Sequence, residues 1–310
     1  MSKVTVIGSG NVGSTVANVL AHKDLVNEVV LLDIQGNMAK GKALDMWQQA
    51  PIDYYSTFIR GTDNYEDTAN SDVVVITAGL PRKPGMTRDD LIATNAKIVS
   101  SVTENIMKYS PNPIIIVVSN PLDVMTYVAA IKSGLPANRV FGMAGILDTA
   151  RYRAFLAEEL RVSPKDIQAV LMGGHGDTMV PLPRYTTVAG IPVTELISAE
   201  KLEAIVARTK NGGGELVNLM GTSAWYAPGA AAAQMVEAIL RNERRIFECC
   251  VKMEGQYGLN GIYLGAPVVL GRNGIEQILE LQLNADEMAL VDASAVHVKE
   301  VMDVFDGMNL

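Results

Sequence analysis

The stretch Val4-Thr5-Val6-Ile7-Gly8-Ser9-Gly10-Asn11-Val12-Gly13 decides how the rest of the chain is read. A short β-branched run leads into three spaced glycines, and Val12, Val16, Val19 and Leu20 then recur at helical spacing, so the stretch reads as strand, tight turn and helix. Glycines in such a turn permit a sharp bend, close approach of the main chain to a pyrophosphate and close packing of helix on strand. The helix N-terminus supplies the anion site through its unpaired N–H groups. Asp33 ends a second apolar run, where a carboxylate accepts hydrogen bonds from an adenosine ribose and repels a 2′-phosphate. The pattern therefore points to NAD rather than NADP, held by Gly8, Ser9, Gly10, Asn11, Val12, Gly13 and Asp33. A glycine turn that binds nothing is the plainer alternative.

Working outward, near-continuous apolar runs at 4–7, 29–32, 73–77 and 114–119 are the form taken by strands covered on both faces. Helical patterns lie between them, one from about residue 88 to residue 107, ahead of Pro111. Four such strands with helical crossovers predict a doubly wound parallel sheet. Past about residue 145 the rhythm changes. Runs at 246–253 and 262–270 predict an antiparallel pair, and Asn211-Gly212-Gly213-Gly214 interrupts a helical pattern. Asn284 and Glu287 have the spacing of a capping box for a last helix that buries Leu290, Val291, Val298, Val301 and Met302. The fold class is α/β, a doubly wound parallel sheet followed by a mixed α+β domain, divided as 1–143 and 144–310.

At 310 residues the chain exceeds the usual size of one core, and with 48% hydrophobic and 19% charged residues no segment reads as disordered. A net charge of −8 argues against a general binder of nucleic acid or of anionic membranes. Cys249 and Cys250, adjacent in a strand pattern, point to opposite faces and cannot staple distant segments, which fits a reduced, cytoplasmic setting. No signal-peptide pattern is present, and no apolar run approaches the roughly 20 residues of a membrane span. No metal-ligand spacing is visible.

Four further features carry chemistry. The segment from Gly79 to Arg88 leaves the carboxyl end of the third strand, where ligands of open sheets bind, and its Arg82, Lys83 and Arg88 suit a loop closing over an anion. A solvated basic loop is the alternative. In Gly174-His175-Gly176-Asp177 one imidazole stands among glycines, open to backbone and substrate. Its unperturbed pKa of about 6.5 suits it to take an alcohol proton and return it, whereas His22 and His297 read as ordinary surface or half-buried histidines. Asp148 and Arg151 have the spacing of one helix face, so a carboxylate that orients His175 and a guanidinium that grips substrate can act together. A plain helix cap beside a surface arginine competes with that reading. Asn120, before Pro121, is placed to hydrogen-bond substrate or nicotinamide, or is simple turn chemistry.

Taken in order, the glycine turn, Asp33, the loop with Arg82 and Arg88, Val118-Ser119-Asn120-Pro121, Leu147-Asp148-Thr149-Ala150-Arg151, Gly174-His175-Gly176-Asp177 and Gly221-Thr222-Ser223-Ala224-Trp225-Tyr226-Ala227-Pro228 resemble the lactate/malate dehydrogenase family across essentially the whole chain. The closer likeness is to its lactate-dehydrogenase-like malate dehydrogenase branch. The resemblance implies a Rossmann-type nucleotide domain, NAD as cofactor, His175 as proton acceptor with Asp148 as its partner, Arg151 on the C1 carboxylate and Arg88 on the reacting oxygen. It implies further that Asn120 assists substrate and cofactor, that Asn95, Val118 and Ser119 touch NAD, and that Ser223 lies near the substrate. Arg82 stands where lactate-specific members carry glutamine, and a guanidinium there answers a second carboxylate, which implies malate and oxaloacetate. The same likeness implies a tricarboxylic acid cycle enzyme assembled as a homotetramer or homodimer. The rival readings are a lactate or other 2-hydroxyacid dehydrogenase and a non-catalytic NAD-binding sensor.

Overall fold

A computed structural model describes residues 2–81 and 87–308 of the chain. Its first half alternates β1 (Lys3–Ile7), α1 (Asn11–His22), β2 (Glu28–Leu32), α2 (Gly36–Asp53) and β3 (Phe58–Thr62). Then come β4 (Val73–Ile76), α3 (Arg88–Tyr109), β5 (Ile114–Val117), α4 (Leu122–Ser133) and β6 (Val140–Gly142). These six strands run parallel in the order β3-β2-β1-β4-β5-β6. The chain winds outward in opposite directions from β1 and β4, so the loops after these two strands part and leave a crevice at their carboxyl ends. Every residue of β4 and β5 is buried, and α1 packs Val16, Ala17, Leu20 and Ala21 inward.

Six strands stand where four were expected. β3 lies at the sheet edge with alternating burial and carries Arg60 and Gly61, and β6 is three residues long, so neither has the continuous apolar run that marks a doubly covered strand. α3 begins at Arg88 behind a capping box of Thr87 and Asp90 and ends before Pro111.

The second half opens with α5 (Gly145–Leu160), followed by β7 (Ile167–Gln168), β8 (Leu171–Gly173), β9 (Met179–Pro181), β10 (Thr187–Val188) and β11 (Ile191–Pro192). The helices α6 (Val193–Leu196), α7 (Ala199–Lys210), α8 (Gly212–Met220) and α9 (Tyr226–Leu240) come next. The chain closes with β12 (Arg245–Glu254), β13 (Asn260–Gly271), β14 (Gly274–Ile278) and α10 (Ala285–Asp306). The expected antiparallel pair is β12 and β13, with Cys249 opposite Ala266 and Cys250 opposite Gly265. Both cysteines are free and buried.

The sheet does not stop between the halves. β12 pairs with β6 through Cys250 and Gly142, so β12, β13, β8, β9 and β14 extend the parallel sheet into one of eleven strands. This junction sets α4, α5 and the loop after β8 side by side, and they carry the site. α10, capped by Asn284 and Glu287 as expected, buries Val291, Val298, Val301 and Met302. Leu290 corrects the sequence reading: it is 52% exposed, because it lies about 100° round the helix from the stripe begun by Val291.

Candidate active site

The glycine turn is shaped by contacts that leave no room for side chains. Gly8 has φ +101°, and a Cβ there would sit 2.8 Å from Thr77 Oγ1, while one on Gly13 would fall inside the Gly8 carbonyl oxygen. Gly10, just ahead of α1, faces open space, so the main chain is accessible at the helix N-terminus. The Thr77 hydroxyl donates to Ile7 O at 2.9 Å and ties the turn to β4. Asp33, at the end of β2, receives the Ser9 N–H at 2.6 Å and the Ser9 hydroxyl at 2.9 Å on one oxygen, and the Gln35 N–H at 2.9 Å on the other. Burial opposes charge on Asp33, but these donors and nearby Lys42 outweigh it and hold the carboxyl below its ordinary range. Lys42 Nζ also donates to Ser9 O at 2.6 Å. Open backbone donors, an ionised carboxylate and the absence of Cβ obstruction fit a dinucleotide.

The loops after β4 and β5 are joined by Asn95, only 1% exposed. Its Oδ1 accepts from Leu80 N at 2.8 Å, and its Nδ2 donates to Leu80 O at 3.1 Å and to Asn120 O at 2.7 Å. Its amide thus staples the two loops. Val118 N donates to Ile76 O at 2.8 Å and Ser119 Oγ to Ala78 O at 2.6 Å, which fixes the strand end leading to Asn120.

Across the β6–β12 junction, α5 presents Asp148, whose side chain is 2% exposed. One carboxylate oxygen lies 2.8 Å from His175 Nδ1 and the other accepts from Arg151 Nη1 at 3.2 Å. The expected spacing of Asp148 and Arg151 on one helix face is therefore realised. Burial works against the imidazolium, but Asp148, with Asp123 behind it, overrides that, and His175 is pushed above its ordinary value. The Asp148 bond orients the ring and leaves Nε2 for another partner.

His175 is carried on a loop after β8 in which Gly173 and Gly176 have φ +85° and +99°. The loop is pinned from two helices: Gly174 N donates to Ser294 Oγ of α10 at 2.8 Å, and His175 N to Asp123 Oδ2 of α4 at 3.0 Å. A cleft of about 460 Å³ brings His175 together with Arg88, Asn120, Asp123, Asp177, Thr178 and His297. Arg88 Nη2 lies 3.0 Å from His297 Nε2, so His297, read from sequence as an ordinary histidine, stands on the rim of the site. The glycines at 212 and 213 also gain a reason: a Cβ at 212 would meet Arg151 Cδ at 3.1 Å, so the start of α8 packs directly over that guanidinium.

Not every expected residue converges. Ser223 lies in the exposed segment before α9 and does not line the cleft. Arg82 lies outside the described residues. Four contributors were not singled out from sequence: Thr77, Lys42, Asp123 and His297. Their partners lie 70, 33, 52 and 209 positions away, and no local motif signals them. Among the described residues no group of three or more His, Cys, Asp or Glu could hold a metal ion.

Residues 2–142 match the lactate/malate dehydrogenase NAD-binding domain and residues 146–306 the alpha/beta C-terminal domain of the same family. A malate dehydrogenase of Cytophaga hutchinsonii is 69% identical over 99% of this chain and 98% of its own length. The structure of malate dehydrogenase from Salinibacter ruber superposes with a TM-score of 0.96 at 56% identity, covering 99% of this chain and 98% of that one. A lactate dehydrogenase of Cryptosporidium parvum, solved with lactic acid and NAD, reaches 0.95 at 39% identity, covering 98% of each. The chain belongs to the lactate/malate dehydrogenase family.

Proposed function

We propose that this chain is an NAD-dependent oxidoreductase that converts (S)-malate to oxaloacetate and back. The observation that carries the reading is the Asp148 carboxylate, which holds His175 Nδ1 on one oxygen and Arg151 on the other beside a cleft that also contains Arg88 and Asn120. His175 Nε2 takes the hydroxyl proton of malate and, protonated, returns it to oxaloacetate. Asp148 favours the imidazolium, Arg151 binds the C1 carboxylate, and Arg88 and Asn120 steady charge on the reacting oxygen. The nicotinamide, when bound, accepts or supplies the hydride at C2.

Gly8 to Gly13 and Asp33 would hold the dinucleotide, and Asn95, Val118, Ser119 and Asn120 would contact it. Arg82 is the residue for the distal carboxylate, a guanidinium that selects a dicarboxylate over lactate, and Ser223 is near the substrate as the family resemblance implies. Residues 1–143 form the NAD-binding unit and 144–310 the substrate-binding and catalytic unit.

The supporting assignments are a cytoplasmic enzyme of the tricarboxylic acid cycle that works as a homotetramer or a homodimer. The free cysteines fit a reducing compartment. No helix among the described residues is long and apolar enough to cross a membrane. Exposed Ile52 of α2 and Tyr226 of α9 line one groove beside α1, which offers apolar surface to a second copy. Sedimentation as a monomer at micromolar concentration would end that assignment.

The decisive test is spectrophotometric. NADH should be consumed on adding oxaloacetate, and far more slowly with pyruvate. Equal or greater activity with pyruvate would overturn the malate assignment, and silence with both would leave a nucleotide-binding protein without turnover.

A further inference from the structure

We propose that Asp123 is a positioning residue for this reaction, a second carboxylate that acts only through His175 by fixing the main chain of the base loop and by favouring the protonated imidazole. The inference rests on the reading of His175 as the base. Asp123 stands in the first turn of α4 and is 8% exposed. Its Oδ2 accepts the His175 N–H at 3.0 Å, and the loop is drawn so close that a Cβ on Gly174 would approach the same oxygen to 3.3 Å.

Holding a loop does not require charge. An asparagine oxygen also accepts an amide N–H, though more weakly than a carboxylate, and a buried carboxylate is unfavourable unless something answers it. Asp123 shows that tension: burial is the largest influence and leaves its carboxyl above the ordinary range, although the His175 amide, the His175 ring and the Cys250 thiol pull it down, Asp148 pushes it up again, and its buried Oδ1 has no hydrogen-bond partner among the described residues. The feature that packing alone leaves without a role is the negative charge, and the group that gains from it is the imidazole, which both carboxylates drive toward its protonated form.

The ionisable surroundings of His175 come from every side. Asp148 and Arg151 face it from α5, Asp123 from α4 with Cys250 of β12 behind it, and Arg88 of α3, His297 of α10 and Asp177 of its own loop line the cleft. Asp148 is already paired with Arg151, which offsets part of its charge. Asp123 has no such counter-cation within hydrogen-bond reach among the described residues, and the protonated His175 ring is the cation that favours its ionised form.

The test is the pH profile of kcat/KM in both directions for Asp123→Asn. Malate oxidation needs neutral His175 and oxaloacetate reduction needs it protonated, so both limbs governed by His175 are expected to move to lower pH, by about half a unit or more. The NADH dissociation constant should be unchanged. Asp123→Ala, which also loses the acceptor for the His175 amide, should show the same displacement and a further loss in kcat. Ser294→Ala loosens the loop without altering charge and should reduce kcat with both limbs in place. Limbs of Asp123→Asn that coincide with the parent's would overturn the proposal.

Should the asparagine variant not fold, NMR of the parent chain decides. The Asp123 carboxyl carbon should shift as the His175 ring titrates, and a carboxyl signal indifferent to that titration would be equally fatal. Failure of the underlying reading looks different: the parent's own kinetic limb would then not follow the His175 ring titration at all.

Discussion

The nucleotide turn and the base loop are both glycine-rich bends at the end of a strand, yet they are held in different ways. At Gly8 to Gly13 the fit is made by backbone against backbone, with Gly13 pressed on the Gly8 carbonyl and Asp33 held by a main-chain N–H as well as a hydroxyl. Around His175 nearly everything is side chain reaching across the fold: Asp148 from α5, Asp123 from α4 and Ser294 from α10. Binding is thus built into local chain geometry, while proton transfer depends on residues assembled from distant segments. Single side-chain changes should therefore damage catalysis far more than nucleotide binding, unless the change adds atoms to the turn.

The largest separation is expected from His175→Asn. Removing the imidazole should lower kcat by about 10³-fold, within the range a positioned acid–base group contributes. A fluorescence titration with NADH should be unaltered. Retained turnover would remove His175 from the mechanism, and a lost titration would show that the two regions are not independent.

Asp148→Asn comes next, at about 10²-fold in kcat, and it has a pH signature. His175 is raised in the folded chain, chiefly by Asp148 acting against burial. The stabilisation from this pair is complete below the unfolded imidazole value and is lost as pH rises through the higher folded one. The parent's stability advantage over the variant in chemical denaturation should therefore shrink as pH increases, and oxaloacetate reduction in the variant should fail at lower pH than in the parent. A pH-independent difference would mean that Asp148 is structural only.

The same contrast explains what could be read from the residues in order. The glycine turn was legible because its meaning is local: a β-branched run, glycines at fixed offsets and an acidic residue at the end of the next strand. Asp148 and Arg151 were legible because three-residue spacing means proximity on any helix. Asp123 gave no such sign. Its partner lies 52 residues on, and an aspartate in the first turn of a helix is commonplace. His297 reads as an ordinary histidine of the last helix, and nothing local points to its partner Arg88, 209 residues away. Edge strand β3 and three-residue β6 escaped because period and run length carry little information in elements that are short or half exposed.

Gly13→Ala reverses the roles of the two regions. The added methyl has nowhere to go without displacing the Gly8 carbonyl, and overpacking of this kind costs about 1–3 kcal/mol. NADH binding should weaken by roughly ten- to a hundredfold, with the proton-transfer limb of the pH profile unmoved. An unchanged affinity would show that the turn yields easily and that backbone fit is not what holds the nucleotide.

The smallest effect is the most discriminating. Ser9→Ala deletes the hydroxyl that reaches Asp33 at 2.9 Å and leaves the main-chain donor at 2.6 Å on the same oxygen. One of two converging hydrogen bonds is lost, the carboxylate keeps the Gln35 N–H on its other oxygen, and Lys42 still lowers its energy. A hydrogen bond to a charged group is worth about 1.5–3 kcal/mol, but this one is made with or without nucleotide, so only part of it reaches binding: the NADH dissociation constant should rise no more than about tenfold, and kcat should not change. If Ser9→Ala instead matches Gly13→Ala, the hydroxyl rather than the main chain positions Asp33, and the turn would be a side-chain construction of the same kind as the base loop.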